Sequence, residues 1–318
     1  MQRSVNLLLV ESSYRISRLL RTPWVAGKPW SASIEPTTSC NLRCPECPTG
    51  MQTLTRAKGN LNLDHFNTIL GRLAPNLFYL TLYYQGEPML NPHFSAMVQS
   101  ARSRRIFVAT STNGHFLNDE KVAEVIKSGL NHLIISLDGM DQETYEKYRV
   151  NGNIQTVTEG IQRLVAARKK LKSRTPFIEL QFIVMRHNQH QVEQMRMYAR
   201  QSGVDRVSFK SAQVYNFEAG NIIIPTIMEK SRYRQTPGGS WVISANIRNR
   251  CHRIWSSIVI TWDGKVVPCC YDKDADHLMG NLLEEPLSAI WKNRQYTSFR
   301  RQVLENRKET VICRNCGE

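Results

Sequence analysis

The sequence lacks any long run of apolar residues. In its 318 residues, no segment approaches the roughly 18 consecutive apolar positions that a membrane-spanning helix requires. The short apolar run 5–10 is broken by Asn6 and leads into Glu11 and basic residues without a small-residue cleavage site, which argues against a secretory signal. The sequence therefore predicts a cytoplasmic protein without a transmembrane segment.

Acidic residues are scarce relative to basic ones. The 27 Asp and Glu residues face 42 Lys and Arg residues, which gives a formal net charge of +15 and an isoelectric point near 9.6. This balance favours nucleic acid, anionic lipid surfaces or phosphorylated small molecules as partners. The densest basic patches lie on or beside predicted helices, where they also suit an ordinary solvated face. These patches are Arg102, Arg104, Arg105, Arg168, Lys169, Lys170, Lys172 and Arg174.

Cysteine is absent from the long stretch between Cys47 and Cys251, so the eight cysteines form two groups. A chain of this size needs no disulfides to stabilise its core, and a reducing compartment would not retain them. Metal binding is therefore the better interpretation of both groups. The first group is Cys40, Cys44 and Cys47, and the second is Cys251, Cys269, Cys270, Cys313 and Cys316.

Six apolar runs rich in β-forming residues alternate with segments of helical periodicity between residues 31 and 215. The runs are 33–35, 78–84, 106–110, 132–137, 177–185 and 206–209. The alternation predicts an α/β fold of parallel strands joined by right-handed crossovers, either an open doubly wound sheet or a partial (β/α)6 TIM-type barrel. In both architectures the ligand site lies in the loops after the carboxyl ends of the strands.

Two further regions flank this part of the chain. Residues 1–30 contain a basic amphipathic segment with Tyr14, Ile16 and Leu19 on one side. This pattern predicts a helical extension packed on the body of the protein, with a membrane-surface helix as the alternative. Residues 216–318 contain Asp263-Gly264 between two β-rich runs, the signal of a tight β-hairpin, followed by two helical segments. We expect a separate, small, cysteine-rich module there.

The first cysteine group follows the first predicted strand, with three and then two residues between the cysteines. A loop with this spacing can direct three thiolates at one metal centre and leave a coordination position open, because no Cys or His follows nearby. A structural zinc site is the alternative. Cys40, Cys44 and Cys47 resemble the CxxxCxxC signature of the radical S-adenosylmethionine (radical SAM) enzymes, in which three cysteines hold a 4Fe-4S cluster and the remaining iron binds SAM.

That resemblance implies a partial (β/α)6 barrel over residues 31–215, with further SAM-binding residues at the strand ends. Residues 85–88 resemble the family's GGE turn, which binds the SAM ammonium, with Gln85 in place of the first glycine. The polar groups at the strand ends suit the ribose and carboxylate of SAM, although they are also ordinary turn formers. The cofactor-binding residues implied are Gly86, Glu87, Pro88, Thr112, Asn113, Ser136 and Asp138. The fifth predicted strand ends at Arg186, His187 and Asn188, and the sixth ends at Lys210. We expect these residues to face the same end of the barrel, where they could contact SAM or an anionic substrate group.

The resemblance also implies a chemistry. The reduced cluster passes an electron to the SAM sulfonium, and the resulting 5'-deoxyadenosyl radical removes a hydrogen atom from an unactivated substrate carbon. The implied electron donor is a protein such as flavodoxin or ferredoxin. The task left to the protein is to orient the substrate and to exclude water.

The second cysteine group resembles the auxiliary-cluster modules called SPASM and, when shortened, Twitch. Seventeen residues separate Cys251 from Cys269, four residues separate Gly264 from Cys269, and two residues separate Cys313 from Cys316. Full modules hold two clusters with more cysteines than are present here. The resemblance therefore implies one auxiliary 4Fe-4S cluster on Cys251, Cys269, Cys313 and Cys316. Four thiolates also satisfy a tetrahedral zinc ion, and that alternative stays open.

Cys269 and Cys270 are adjacent, and side chains alternate in direction along an extended segment. Both thiols are therefore not expected to bind the same iron, and the glycine spacing favours Cys269. Cys270 is either a small buried side chain or a catalytic thiol that returns a hydrogen atom to a substrate radical, as related epimerases require.

The single-auxiliary-cluster layout most resembles the aminocyclitol dehydrogenase of the butirosin pathway. We therefore expect oxidation of a hydroxyl-bearing small molecule or carbohydrate, with an anionic group that suits the basic charge. Epimerisation and peptide modification are the alternatives within the family. Peptide-modifying relatives commonly carry a leader-binding domain before the barrel, for which residues 1–30 are too few, although a separate protein can supply it. The alternative outside the family is a basic zinc-binding protein that recognises nucleic acid.

Overall fold

The computed structural model describes residues 2–317 and has a mixed α/β fold. The six strands predicted between residues 31 and 215 are present and alternate with helices. The elements up to residue 211 are α1 (Gln2–Leu20), β1 (Ser31–Ile34), α2 (Leu63–Leu73), β2 (Tyr79–Thr81), α3 (Phe94–Ser103), β3 (Phe107–Thr112), α4 (Asp119–Lys127), β4 (His132–Ser136), α5 (Gln142–Glu146), α6 (Ile154–Lys170), β5 (Phe177–Val184), α7 (Val192–Ser202) and β6 (Arg206–Ser211). The short helix α5 was not predicted, because five residues are too few to show a helical period.

The remaining third of the chain has shorter elements. They are β7 (Tyr233–Gln235), β8 (Trp241–Ile243), α8 (Arg253–Ser256), β9 (Ser257–Ile260), β10 (Lys265–Val267), β11 (Gly280–Asn281), α9 (Leu287–Trp291) and α10 (Arg294–Asn306). The hairpin predicted at Asp263-Gly264 joins β9 to β10, and Gly264 has the positive φ of 83° that this turn requires.

The strands β1 to β6 form a parallel sheet in sequence order. Each strand is followed by a crossover that returns the chain to the same end of the sheet, so all six carboxyl ends lie along one edge. The predicted fold class is therefore confirmed, and the loops that contain the predicted cofactor-binding residues share this edge.

The cysteine-rich region is not an isolated module, because its β9–β10 hairpin joins the parallel sheet, although β7 and β8 form a separate two-stranded sheet. Strand β9 pairs in parallel with β1, with Ser257 opposite Ser31, and the hairpin continues the sheet in the order β11-β10-β9-β1. Main-chain hydrogen bonding to β1 was not visible in the sequence, because two strands more than two hundred residues apart carry no local signal of their pairing. The division at residue 215 stays a prediction.

The two faces of the parallel sheet differ in polarity. On β5, Ile178, Leu180 and Phe182 are completely buried in the main hydrophobic core, whereas Glu179 and Gln181 alternate with them on the other face. The apolar face is therefore covered by helices, and the polar face is left to line the interior where a ligand would bind.

The Glu179 carboxylate is engaged on the polar face of the sheet. His132 Nε2 lies 2.9 Å from Glu179 Oε2, and Arg206 donates a hydrogen bond to the same oxygen. Burial opposes ionisation, but the hydrogen bond and charge of Arg206, with the charge of His132, lower the pKa of Glu179. Glu179 is therefore held as a carboxylate in a structural network.

Helix α1 packs on the body of the protein, but not through the predicted stripe. Tyr14 is buried, whereas Ile16 and Leu19 point to solvent, with Leu19 82% exposed. In the described part of the chain, no helix is both long and apolar enough to cross a membrane.

Candidate active site

The loop after β1 brings its three cysteines into one small apolar cluster. Cys40, Cys44 and Cys47 pack with Leu42, Tyr148, Met185 and Ala212 above the carboxyl ends of β5 and β6. Cys44 is buried, and Cys40 and Cys47 are partly exposed. The sequence motif therefore corresponds to a single structural feature at the predicted edge of the sheet.

Close backbone packing shapes this cysteine loop. A Cβ atom at Gly50 would lie 2.5 Å from the Cys44 carbonyl oxygen, so only glycine allows the loop to fold back on itself there. The Glu46 carboxylate accepts hydrogen bonds from Tyr215 N at 2.8 Å and Asn221 Nδ2 at 2.9 Å. The loop is thereby tied to the segment that follows β6.

The Gly86 turn lies directly against the residues that lead into the cysteine loop. Gly86 has a φ of +73°, and a Cβ atom there would lie 2.4 Å from the Thr37 carbonyl oxygen and 2.8 Å from that of Ser39. The Glu87 amide donates to the Ser39 carbonyl at 2.7 Å. The turn therefore requires glycine at this position.

The Glu87 carboxylate is buried and already has three donors. It accepts hydrogen bonds from Thr112 Oγ1 at 2.8 Å, Asn113 N at 2.7 Å and Met89 N at 3.1 Å. Pro88 follows at the first position of a short 3-10 turn that Glu87 caps. Burial raises the pKa of Glu87, and the hydrogen bonds oppose this effect. Glu87 thus orients the ends of β2 and β3, and its contact with the SAM ammonium stays a prediction.

Asn113 connects the end of β3 to the cysteine loop. Its side-chain nitrogen donates to Asn41 Oδ1 at 2.8 Å and lies 3.9 Å from Cys40 Sγ. Ser136 at the end of β4 is also buried. Of the predicted cofactor-binding residues, Thr112, Asn113 and Glu87 therefore form one network beside Cys40.

Asp138 is fully buried and holds an arginine that the sequence did not indicate. Its Oδ2 accepts from Arg149 Nε at 2.6 Å, and its Oδ1 accepts from Ile183 N at 2.5 Å. Arg149 Nη1 then lies 3.8 Å from Cys44 Sγ. Burial opposes the charge, but Asp138 raises the pKa of Arg149 well above its usual value, so a fixed cation faces the thiol. Asp138 therefore orients Arg149 toward Cys44.

Of the predicted residues at the ends of β5 and β6, Asn188 bonds to the Asp138 segment. Asn188 is buried and donates to the Asp138 and Ile183 carbonyls, so it closes the turn after β5. Arg186 donates to the Ile224 carbonyl at 3.1 Å, and Lys210 is exposed. Desolvation lowers the pKa of His187, which favours its neutral form.

The thiols of this loop fit a cationic iron-sulfur core. Burial raises the pKa of Cys40 to about 11 and also raises the pKa of Cys44. These sulfurs therefore become thiolates at neutral pH only when iron replaces the proton.

The second cysteine group surrounds one enclosed cavity. Cys251, Cys269, Cys313 and Cys316 all line it, together with apolar side chains. They come from the segment before α8, the end of the β9–β10 hairpin and the carboxyl end of the chain. The four predicted ligands are thus brought together, although up to 65 residues separate them in sequence.

Arg307 also lines this second cavity and was not predicted. Its side chain is buried, and Nη2 donates to Cys316 Sγ at 3.0 Å. Burial raises the pKa of Cys313 to about 11, while Arg307 opposes the shift. A guanidinium that donates to a ligating sulfur is the kind of neighbour that stabilises an anionic thiolate cluster.

Cys269 and Cys270 differ in the cavities that they line. Cys269 lines both the cavity of the four cysteines and a larger cavity beside β1 and β2, whereas Cys270 lines only the larger one. The hydrogen bond with Cys270 raises the pKa of Cys269, and burial adds to the effect. Cys270 is therefore separate from the four-cysteine cavity, and its catalytic role stays a prediction.

Two family models match the chain. Residues 34–195, half of the chain, match the radical SAM superfamily, and residues 251–317 match SPASM, an iron-sulfur cluster-binding domain. The first implies a 4Fe-4S cluster and SAM as cofactors, and the second implies auxiliary iron-sulfur binding. The alternative of a basic zinc-binding protein that recognises nucleic acid is thereby replaced.

Three curated proteins illustrate the range of relatives. A "tungsten-containing aldehyde ferredoxin oxidoreductase cofactor-modifying protein" from Pyrococcus furiosus is 27% identical over 84% of this chain and 82% of its own length. A PqqA peptide cyclase from Gluconobacter oxydans is 27% identical over 83% of this chain and 76% of its own length. An S-adenosyl-L-methionine-dependent 2-deoxy-scyllo-inosamine dehydrogenase from Niallia circulans is 22% identical over 89% of this chain and 91% of its own length.

Solved structures share the fold at low sequence identity. BtrN in complex with AdoMet and 2-DOIA superposes with a TM-score of 0.55 and 18% identity, over 91% of this chain and 93% of BtrN. SuiB from Streptococcus suis bound to S-adenosylmethionine superposes with a TM-score of 0.68 and 12% identity, over 96% of this chain and 76% of SuiB. Together with the family models and the cysteine loop at the edge of the sheet, these similarities show that the chain belongs to the radical SAM superfamily and carries a C-terminal SPASM domain.

Proposed function

We propose that this radical SAM enzyme oxidises a hydroxyl-bearing small molecule or carbohydrate that carries an anionic group. In this proposal Cys40, Cys44 and Cys47 hold the SAM-binding cluster. Cys251, Cys269, Cys313 and Cys316 hold one auxiliary 4Fe-4S cluster. The SAM contacts come from Gly86, Glu87, Pro88, Thr112, Asn113, Ser136 and Asp138.

The observation that carries the proposal is the cavity between the barrel strands and the SPASM hairpin. It has a volume of about 610 Å³, which suits a small molecule. Many of its lining side chains carry hydroxyl groups that can hydrogen-bond a polyol. These are Ser31, Ser33, Tyr79, Thr81, Tyr83, Tyr84, Ser256 and Ser257.

The charge of this cavity supports an anionic substrate. Arg253, Lys273 and His252 line it, and within residues 2–317 no Asp or Glu does. A phosphate or carboxylate would therefore meet Arg253 and Lys273 at this cavity, whereas His252 Nε2 already lies 3.2 Å from Glu11 Oε2. The basic net charge of the whole chain would attract the same ligand over a longer range.

Tyr83 and Ser33 connect the cavity to the Gly86 turn. Tyr83 precedes the turn by three residues, and its carbonyl oxygen accepts from Ser33 Oγ at 2.6 Å. Burial raises the pKa of Tyr83 to about 12, so its hydroxyl stays a donor at neutral pH. Substrate held by these hydroxyl groups would lie beside the residues that bind SAM.

When bound, the cluster with SAM supplies hydrogen-atom abstraction from an unactivated carbon, and the auxiliary cluster supplies an acceptor for the second electron of an alcohol oxidation. The chain itself binds the hydroxyl groups, neutralises the anionic group and encloses the reacting carbon. Cys270 lies on the cavity wall, where its thiol would return a hydrogen atom only if the enzyme were an epimerase.

The similarity to the 2-deoxy-scyllo-inosamine dehydrogenase supports this assignment, because it extends over nearly the whole of both chains. Peptide modification is the second candidate. The similarity to PqqA peptide cyclases supports it, at a slightly higher identity over somewhat less of the chains.

Deuterium transfer distinguishes these reactions. We expect reduced, anaerobically reconstituted enzyme to transfer one deuterium to 5'-deoxyadenosine from a carbinol-deuterated sugar or aminocyclitol and to release a ketone. Mass spectrometry of both products measures this. The proposal would be contradicted if deuterium entered 5'-deoxyadenosine only from deuterated peptides.

A Cys270→Ala variant provides the second arm of that experiment. A dehydrogenase should keep ketone formation in this variant, because oxidation needs no returning hydrogen atom. An epimerase would behave differently. The wild type would form a stereo-inverted product that contains deuterium from the solvent, and the variant would not form this product.

A further inference from the structure

Helix α1 attaches to the protein through small polar side chains together with Val10 and Tyr14, which belong to the hydrophobic core. Asn6 exchanges two hydrogen bonds with the Lys28 backbone, at 2.9 and 2.8 Å. Ser17 donates to the Ser13 carbonyl at 2.7 Å and accepts from Trp24 N at 2.8 Å. Ser13 and Ser17 are completely buried. The small polar side chains of the helix are therefore used for packing.

The apolar side of α1 faces solvent, which reverses the usual arrangement of a surface helix. Its exposed large apolar residues lie on one side of the helix in two groups, with the exposed Ser12 between them. They are Val5, Leu8, Leu9, Ile16, Leu19 and Leu20, and Trp24 lies exposed just beyond the helix. Together the two groups form an aliphatic stripe, and an exposed apolar surface of this kind indicates that another phase or molecule covers it.

Basic side chains flank this aliphatic stripe. Arg15, Arg18 and Arg21 lie on α1 or at its end and are exposed. Arg15 pairs with Glu11, whereas Arg18 and Arg21 have no carboxylate partner among residues 2–317. The stripe therefore has cationic groups on one border, as helices that lie in the interface of an anionic bilayer do.

An arginine cleft adjoins the same side of the helix. It has a volume of about 260 Å³, and its lining residues are Tyr14 of α1, Asn246, Arg248, Arg250, Cys251, His252, Arg253 and Arg307. Arg307 is engaged by Cys316, and His252 Nε2 lies 3.2 Å from Glu11 Oε2. The guanidinium groups of Arg248 and Arg250 on this lining suit a phosphate group.

We propose that the outer face of α1 docks on a bilayer that contains anionic phospholipid, with the aliphatic stripe (Val5, Leu8, Leu9, Ile16, Leu19 and Leu20) in the acyl region and the arginine cleft on lipid phosphates. A second copy of the chain is a poorer occupant, because it would bring two arginine-flanked surfaces of like charge together. The inference does not depend on which substrate the enzyme oxidises.

The location of this surface gives the docking a functional consequence. His252 and Arg253 line both the arginine cleft and the large cavity proposed for substrate, and the Tyr14 ring contacts His252 with centroids 5.0 Å apart. The membrane surface would therefore adjoin the substrate cavity.

Vesicle flotation with the reconstituted holoenzyme tests the proposal. We expect the protein to float with vesicles of phosphatidylcholine and phosphatidylglycerol at low salt, and to stay in solution with phosphatidylcholine alone. The double variant Leu8→Glu/Leu19→Glu should weaken binding by about tenfold or more, because two exposed apolar side chains no longer enter the bilayer.

The matched control is Leu171→Glu/Met197→Glu, which makes the same chemical change at two exposed positions on or beside other helices. It should bind like the wild type, and unchanged thermal melting and iron content would show that both variants fold. Wild-type protein that stays in solution with anionic vesicles would overturn the proposal. So would equal flotation of both double variants, or a dimer that light scattering shows to be broken by Leu8→Glu/Leu19→Glu.

Discussion

Replacing Cys44 with alanine is expected to reduce 5'-deoxyadenosine formation to the level seen with SAM and no enzyme. Cys44 is the buried member of the first cysteine group and faces Arg149. With only Cys40 and Cys47 left, the loop supplies two thiolates and cannot hold a cubane cluster with one free iron. Chromatography of the nucleoside product and iron analysis measure the effect.

The control for this prediction is Arg43→Ala, which changes the exposed residue next to Cys44 in the same loop. It should keep its iron and its 5'-deoxyadenosine formation, because the Arg43 side chain is exposed and its backbone amide, which the change retains, donates to the Val150 carbonyl at 3.0 Å. Wild-type rates of SAM cleavage in Cys44→Ala would refute the role of the loop.

Replacing Cys313 with alanine is expected to lower the iron content from about eight to about four atoms per chain, since one of two 4Fe-4S clusters is lost. Cys313 lines the enclosed cavity with the three other auxiliary thiols, so its removal opens that ligand set. SAM cleavage should persist, because the loop at Cys40 is unchanged, whereas ketone formation should be lost.

Cys270→Ala is the matched control for the iron measurement. Cys270 is adjacent to Cys269 but lines the other cavity, so this variant should keep about eight irons. Equal iron in Cys313→Ala and the wild type would count against an auxiliary cluster. One zinc ion per chain in place of the second set of irons would favour the zinc alternative.

The sequence predicted the alternation of strands and helices because each strand is short, apolar and bounded by turn residues. It predicted that two cysteine groups exist because the cysteines cluster along the chain. Strand ends in a parallel sheet share one edge, so Glu87, Thr112 and Asn113 were expected near Cys40, and the structure places them there.

The features that the sequence did not indicate depend on contacts between distant residues. Arg149 and Arg307 are two of 42 basic residues, and only the folded chain shows that they face cysteine sulfurs. The pairing of β9 with β1 has no local signal. On α1, the apolar residues were predicted to lie on the buried side, because hydrophobic burial usually orients a helix. In the structure, hydrogen bonds of Asn6 and Ser17 help to orient the helix, and most of its apolar residues are exposed.

Electron paramagnetic resonance of the reduced Cys313→Ala variant tests the central claim most directly, because this variant should hold only the cluster at Cys40, Cys44 and Cys47. We predict that SAM shifts the g values of this cluster, and that SAM labelled with 15N in its amino group or 17O in its carboxylate adds hyperfine coupling to the iron. A spectrum that saturating SAM leaves unchanged, with no coupling from either label, would contradict an open iron that binds SAM.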